Sequence, residues 1–142
     1  MATLTVTITE NISLNETERG STNTVEITGI DYVNERLVKV GTTEQSLILF
    51  DTAEAAGQFA DGSVDYIRIT NLDSSNYITL RMTSGNDEYF VKVSAGESHI
   101  LFDPVMDTDD DAGVATASLA NIDSIKAQAN TAAVDVEIFI AA

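Results

Sequence analysis

The chain has 142 residues, with seven Lys and Arg against 23 Asp and Glu, no cysteine, and a formal net charge of -16. That length suits one domain, residues 1–142, and 44% hydrophobic residues suffice for its core. The charge argues against nucleic acid and anionic membranes as partners, since both are bound through cations, and the missing thiols exclude disulfides and thiolate metal sites.

The first segment, Thr3-Leu4-Thr5-Val6-Thr7-Ile8-Thr9, alternates strictly. Only an extended strand puts Leu4, Val6 and Ile8 on one face and the threonines on the other. No Lys or Arg precedes Arg19 and no continuous apolar core is present, so a signal peptide is not expected. Nor does any stretch approach the ~18 apolar residues of a membrane span. Asn11-Ile12-Ser13 and Asn15-Glu16-Thr17 match the glycosylation pattern, which carries no meaning without export. Glu18-Arg19-Gly20-Ser21 reads as a turn, and Val25 and Ile27 alternate over residues 22–29.

Residues 36–40 give a strand through Val38 and Val40, broken by Gly41-Thr42-Thr43. Leu47-Ile48-Leu49-Phe50 is a short continuous apolar run, as in a strand buried on both faces. Residues 53–59 favour helix locally, but Gly57 and the short length limit them to one turn. Strand alternation is clearest from residue 63 to residue 102. Ile67 and Ile69 form one inward set, Ile78, Leu80 and Met82 a second, and Tyr89, Val91 and Val93 a third. Polar turns at residues 71–76, 84–87 and 94–97 separate them, and residues 99–102 follow as another strand.

Residues 103–113 hold Asp103, Asp107, Asp109, Asp110, Asp111 and the sole proline, Pro104, and read as a solvated loop. Residues 118–130 suit helix or strand, and strand is preferred because the neighbours are strands. At the C-terminus Val134, Val136, Ile138 and Ile140 alternate with Asp135, Glu137 and Phe139. So apolar a strand must be paired, inside a sheet or at a subunit interface. The 17 threonines fit the wet faces of strands. The expected fold is all-β, an antiparallel β-sandwich of jelly-roll or Greek-key type with little helix.

Chemistry is sparse. His99, the only histidine, has no local nucleophile or orienting carboxylate beside it, so it reads as a surface or partly buried strand residue. Asp107, Asp109 and Asp111 stand at positions one, three and five of a calcium loop. Ala112 then replaces the required glycine and Ser118 the bidentate glutamate, so a hydrated acidic loop is preferred and a looser calcium site is the alternative. No other cofactor is expected. Arg68, Arg81 and Lys92 each fall opposite an inward set. If their strands are neighbours, the three cations form an outer row that either pairs with Asp135 and Glu137 or docks a partner.

Three segments together resemble small β-sandwich virion proteins of tailed bacteriophages, those infecting marine bacteria being closest in style. They are Asp65-Tyr66-Ile67-Arg68-Ile69-Thr70-Asn71-Leu72-Asp73, then Asn76-Tyr77-Ile78-Thr79-Leu80-Arg81, then Phe90-Val91-Lys92-Val93-Ser94-Ala95-Gly96-Glu97-Ser98. The resemblance covers residues 60–102 and brings no catalytic residues. It implies a non-enzymatic capsid decoration (cement) protein, made in the host cytoplasm and carried on the outer virion surface. Its implied partner is the major capsid protein, and its implied form is a homotrimer. The rivals are another virion part (head-fibre base, tail accessory or fibre domain) and a carbohydrate- or calcium-dependent adhesion domain. For a sugar platform, aromatic residues at 6% with no tryptophan are thin material.

Overall fold

Two-residue alternation places apolar side chains on one face of each strand, and two such faces close on each other to leave water. The computed structural model describes residues 1–55, 57–85, 87–106 and 119–142, and no helix occurs among them. Chain order runs β1 (Ala2–Thr9), β2 (Ile12–Leu14), β3 (Thr17–Arg19), β4 (Thr22–Ile30), β5 (Val33–Val40), β6 (Gln45–Asp51) and β7 (Gln58–Ala60). It continues through β8 (Tyr66–Asn71), β9 (Ile78–Ser84), β10 (Asp87–Val93), β11 (Ser98–Phe102), β12 (Val105–Met106), β13 (Ala120–Asn121), β14 (Ser124–Ala129) and β15 (Val134–Ala141).

One sheet has the order β10-β9-β14-β6-β7 and the other β11-β8-β15-β5. Pairing of β5 with β15, β6 with β14, β8 with β11 and β9 with β10 makes one long antiparallel hairpin. That hairpin rolls up so that β15 also meets β8 and β14 also meets β9, the connectivity of a jelly roll. Between the sheets lie Val40, Ile48, Ile67, Ile69, Ile78, Leu80, Met82, Ile125, Val136, Ile138 and Ile140, all fully buried. The C-terminal strand is thus interior to a sheet, which is why every second residue of it is apolar.

Four local expectations are corrected. The turn expected at residues 18–21 lies instead at Asn15-Glu16, whose φ angles of 52° and 61° make a two-residue hairpin loop of the kind asparagine tolerates. Residues 58–60 form β7, parallel to β6, where a helical turn was expected. Leu49 faces solvent, so β6 is not buried on both faces; Leu47, Ile48 and Phe50 carry its burial, and a register shift at Ile125/Lys126 in β14 marks the irregularity. At the start of the acidic loop, Pro104 and Met106 are buried, with β12 paired to β13.

The four strands β1 to β4 form a ribbon apart from both sheets. Leu4 pairs with Ile27, Val6 with Val25, Ile12 with Arg19 and Leu14 with Thr17, one register from base to tip. Its base lies on the outer face of the four-stranded sheet, where Leu4, Val6, Ile27 and Ile30 meet Tyr66, Ile100, Phe139 and Ala141. Rings of Phe102 and Phe139 stand edge-on to Tyr66 at 5.3 and 6.1 Å.

Candidate contact surfaces

The even positions of β1 and β2 carry an apolar row along the ribbon. Leu4 and Val6, at the base, are covered by the body. Ile8, Ile12 and Leu14, toward the tip, are not, and Ile12 and Leu14 are 56% and 52% exposed. The odd positions of β1 are threonines, three of them facing threonines and Thr5 facing Glu26, with hydroxyl contacts of 3.2 Å from Thr7 to Thr24 and from Thr9 to Thr22; in β2 Ser13 faces Glu18. The ribbon therefore has one polar, largely hydroxylated face and one face with an apolar row, which toward the tip runs beside Asn23, Arg19 and Thr17. The sequence showed the alternation of β1 but gave no sign that its outer half leaves the body.

The expected row of three cations does not form. Arg68 lies on β8, in the four-stranded sheet, whereas Arg81 and Lys92 lie on β9 and β10 in the five-stranded sheet, so they face opposite sides of the molecule. The chain changes sheet between β8 and β9, which alternation alone cannot reveal. Arg68 forms an ion pair with Glu137 and donates to Thr70 Oγ1 at 2.6 Å, the cross-strand pairing expected for Glu137. Asp135 pairs instead with Lys39, at 3.7 Å.

Arg81 donates to Glu44 at 2.6 Å and to Glu88 at 3.2 Å, which neutralise it. Lys92 Nζ stands 4.6 Å from the Tyr77 ring centroid. Register puts Phe90 and Lys126 on either side of Arg81. The outer face of the five-stranded sheet therefore holds Phe90, which is 58% exposed, between the neutralised Arg81 on the next strand and Lys92 two residues along its own, with Lys126 beyond Arg81.

His99 points between the sheets, opposite Ile69, and is part-buried as expected of a strand residue. Burial pushes its pKa below the usual value, and its Nε2 has no hydrogen-bond partner. Among the described residues no three acids or histidines are placed to hold a metal. The calcium candidates Asp107, Asp109 and Asp111 lie outside those residues.

A cavity of about 390 Å³ opens where the edges of the two sheets approach, lined by Tyr32, Asn34, Arg36, Glu54 and Phe59 among others. Arg36 Nη2 donates to the Leu47 carbonyl and Asn34 Nδ2 to the Tyr32 hydroxyl, the latter at 3.2 Å. Asn34 Oδ1 and Arg36 Nε are buried without partners. The sequence reading did not single out Arg36, because the inward set of β5 begins with polar residues. Compared with known protein families, curated proteins and solved structures, the chain matches none.

Proposed function

We propose that the protein is a structural subunit working by surface contact, seated on a larger protein shell through its N-terminal ribbon. The specific role we assign is decoration of the outside of a phage head, the role that the resemblance implies. One observation carries the reading: a single apolar row runs along the ribbon, half covered by the body and half bare. A two-stranded ribbon is marginal in water by itself, so its outer half gains order by lying on another surface. The jelly-roll body supplies the rigid base from which the ribbon extends. An acidic body complements basic patches on a shell, and salt weakens that steering.

Co-sedimentation with undecorated shells tests this. Wild-type protein is expected in the pellet at physiological salt, and the Ile12→Ser/Leu14→Ser variant, altered only at exposed positions, in the supernatant. Wild-type protein that stays in the supernatant defeats decoration. A second reading, adhesion to acidic glycans, draws support from exposed Phe90 with Lys92 two residues along the same strand on the same face. A glycan array in which Phe90→Ala binds as wild type does, or in which neither binds, removes it.

A further inference from the structure

We infer that two copies of this chain pair edge to edge through β5, extending the four-stranded sheet across a twofold axis at Leu37. This stands independently of the shell-binding reading. β5 is an edge strand of eight residues with no proline and no register shift, and among the described residues no strand pairs with its outer side. Such an edge offers a template for another strand.

Its free hydrogen-bonding groups can be assigned. Tyr32 and Ala142 exchange both of their main-chain bonds, at 2.9 and 3.0 Å. Antiparallel pairing alternates, so Asn34, Arg36, Val38 and Val40 bond to β15 while Val33, Glu35, Leu37 and Lys39 turn their N–H and C=O outward. The Lys39 carbonyl fits this phase, since it is reached from outside β15 by Gln45 Nε2 at 3.1 Å. A carbonyl accepts two bonds, so that contact leaves room for a second donor.

The side chains then select the partner. Glu35, Leu37 and Lys39 lie on the outer face of the sheet, with the two charges equally spaced about the leucine. Antiparallel pairing of β5 with itself, centred on Leu37, puts Glu35 opposite Lys39 of the partner subunit and Lys39 opposite the partner's Glu35. It also sets Leu37, which is 69% exposed in the single chain, against its own counterpart. The strand is therefore complementary to itself in main chain, charge and apolar surface. Such a contact is isologous and closes at two copies, unlike the trimer that the resemblance implies. Net charge of -16 on each chain opposes it, so salt strengthens the pair where it would weaken docking on a basic shell.

Sedimentation velocity over a wide concentration range, at low and high salt, tests the inference. Wild type is expected to reach the mass of two chains, more readily at high salt. Glu35→Lys and Lys39→Glu each place like charges opposite one another twice, and each is expected to weaken pairing on the order of tenfold. The double variant Glu35→Lys/Lys39→Glu restores opposite charges and is expected to recover the pair. Leu37→Lys, a change at an exposed site with little cost to the fold, is expected to leave single chains. A wild type that stays single, a three-chain mass, single variants that pair as wild type does, or a double variant that fails to recover would each overturn the inference, with thermal melts confirming that every variant is folded.

Discussion

At Asn71 one fully buried side chain ties three backbone groups together. Its Nδ2 donates to the carbonyls of Asn76 and Val93 at 2.9 and 3.1 Å, and its Oδ1 accepts from Asp73 N–H at 2.9 Å. Asn71→Asp keeps the shape but loses both donors and buries a carboxylate. Chemical denaturation at neutral pH should show a loss of about 2–4 kcal/mol, smaller in acid, where a protonated carboxyl can donate again. Asp73, in the same turn, accepts the N–H groups of Asn76 and Ser75, and these hold its carboxyl below the usual range. That contribution is present above the unfolded pKa and is lost as pH falls through the folded one. His99 acts in a higher window. Its folded pKa lies below the unfolded value of about 6.5, so the unfolded chain binds the extra proton there. Stability should be flat above that pH and fall as pH drops from it toward the folded pKa. His99→Gln should remove this slope from the denaturation midpoint while leaving the carboxylate-driven loss at lower pH. An unchanged slope would put its origin elsewhere.

Among the elements, the ribbon differs most from the rest because its outer half, with Ile8, Ile12 and Leu14 exposed, packs on no layer among the described residues. Gly20 sits at the junction of its two halves with φ +134°, and a Cβ there would stand 2.0 Å from the Glu10 carbonyl oxygen. No flexible side chain is available to give way, so Gly20→Ala should open the ribbon at that point. Hydrogen exchange should speed up across residues 10–21 while the strands of both sheets keep their protection, since openings of this kind are local. A uniform loss would mean that the tip supports the body. Ile138, by contrast, is fully buried on the interior strand β15. Ile138→Ala should cost about 2–5 kcal/mol in denaturant titration, as cavities in packed cores do.

On the scale of the whole molecule, charge dominates. The described residues hold few ion pairs, and those of Lys39 and the N-terminus are largely exposed, so they do little to offset 23 acids. Self-repulsion should make the fold sensitive to salt. The melting temperature should rise from low ionic strength toward about 0.15 M salt and then level off, because screening is nearly complete once the Debye length is about 8 Å. A melting temperature that falls with salt would show that the acids are held by pairs more favourable than those seen.

Strand character was legible in the chain because it follows from local covalent geometry. The inward sets Ile67/Ile69, Ile78/Leu80/Met82, Tyr89/Val91/Val93 and Val134/Val136/Ile138/Ile140 all stand in the structure as their alternation requires. Where polarity misled, the reason was equally local: glycine in residues 18–21 resembled a turn, and Leu49 resembled core. By itself the sequence determined an all-β protein, the inward face of most long strands and an acidic surface. Only tertiary structure decided which strands are neighbours, and with it that Arg68 parts from Arg81 and Lys92, that Ile12 and Leu14 stand exposed at the tip of the ribbon, and that β5 is the last strand of its sheet. Partnership between strands is a property of long-range packing, and a period of two residues carries no information about it.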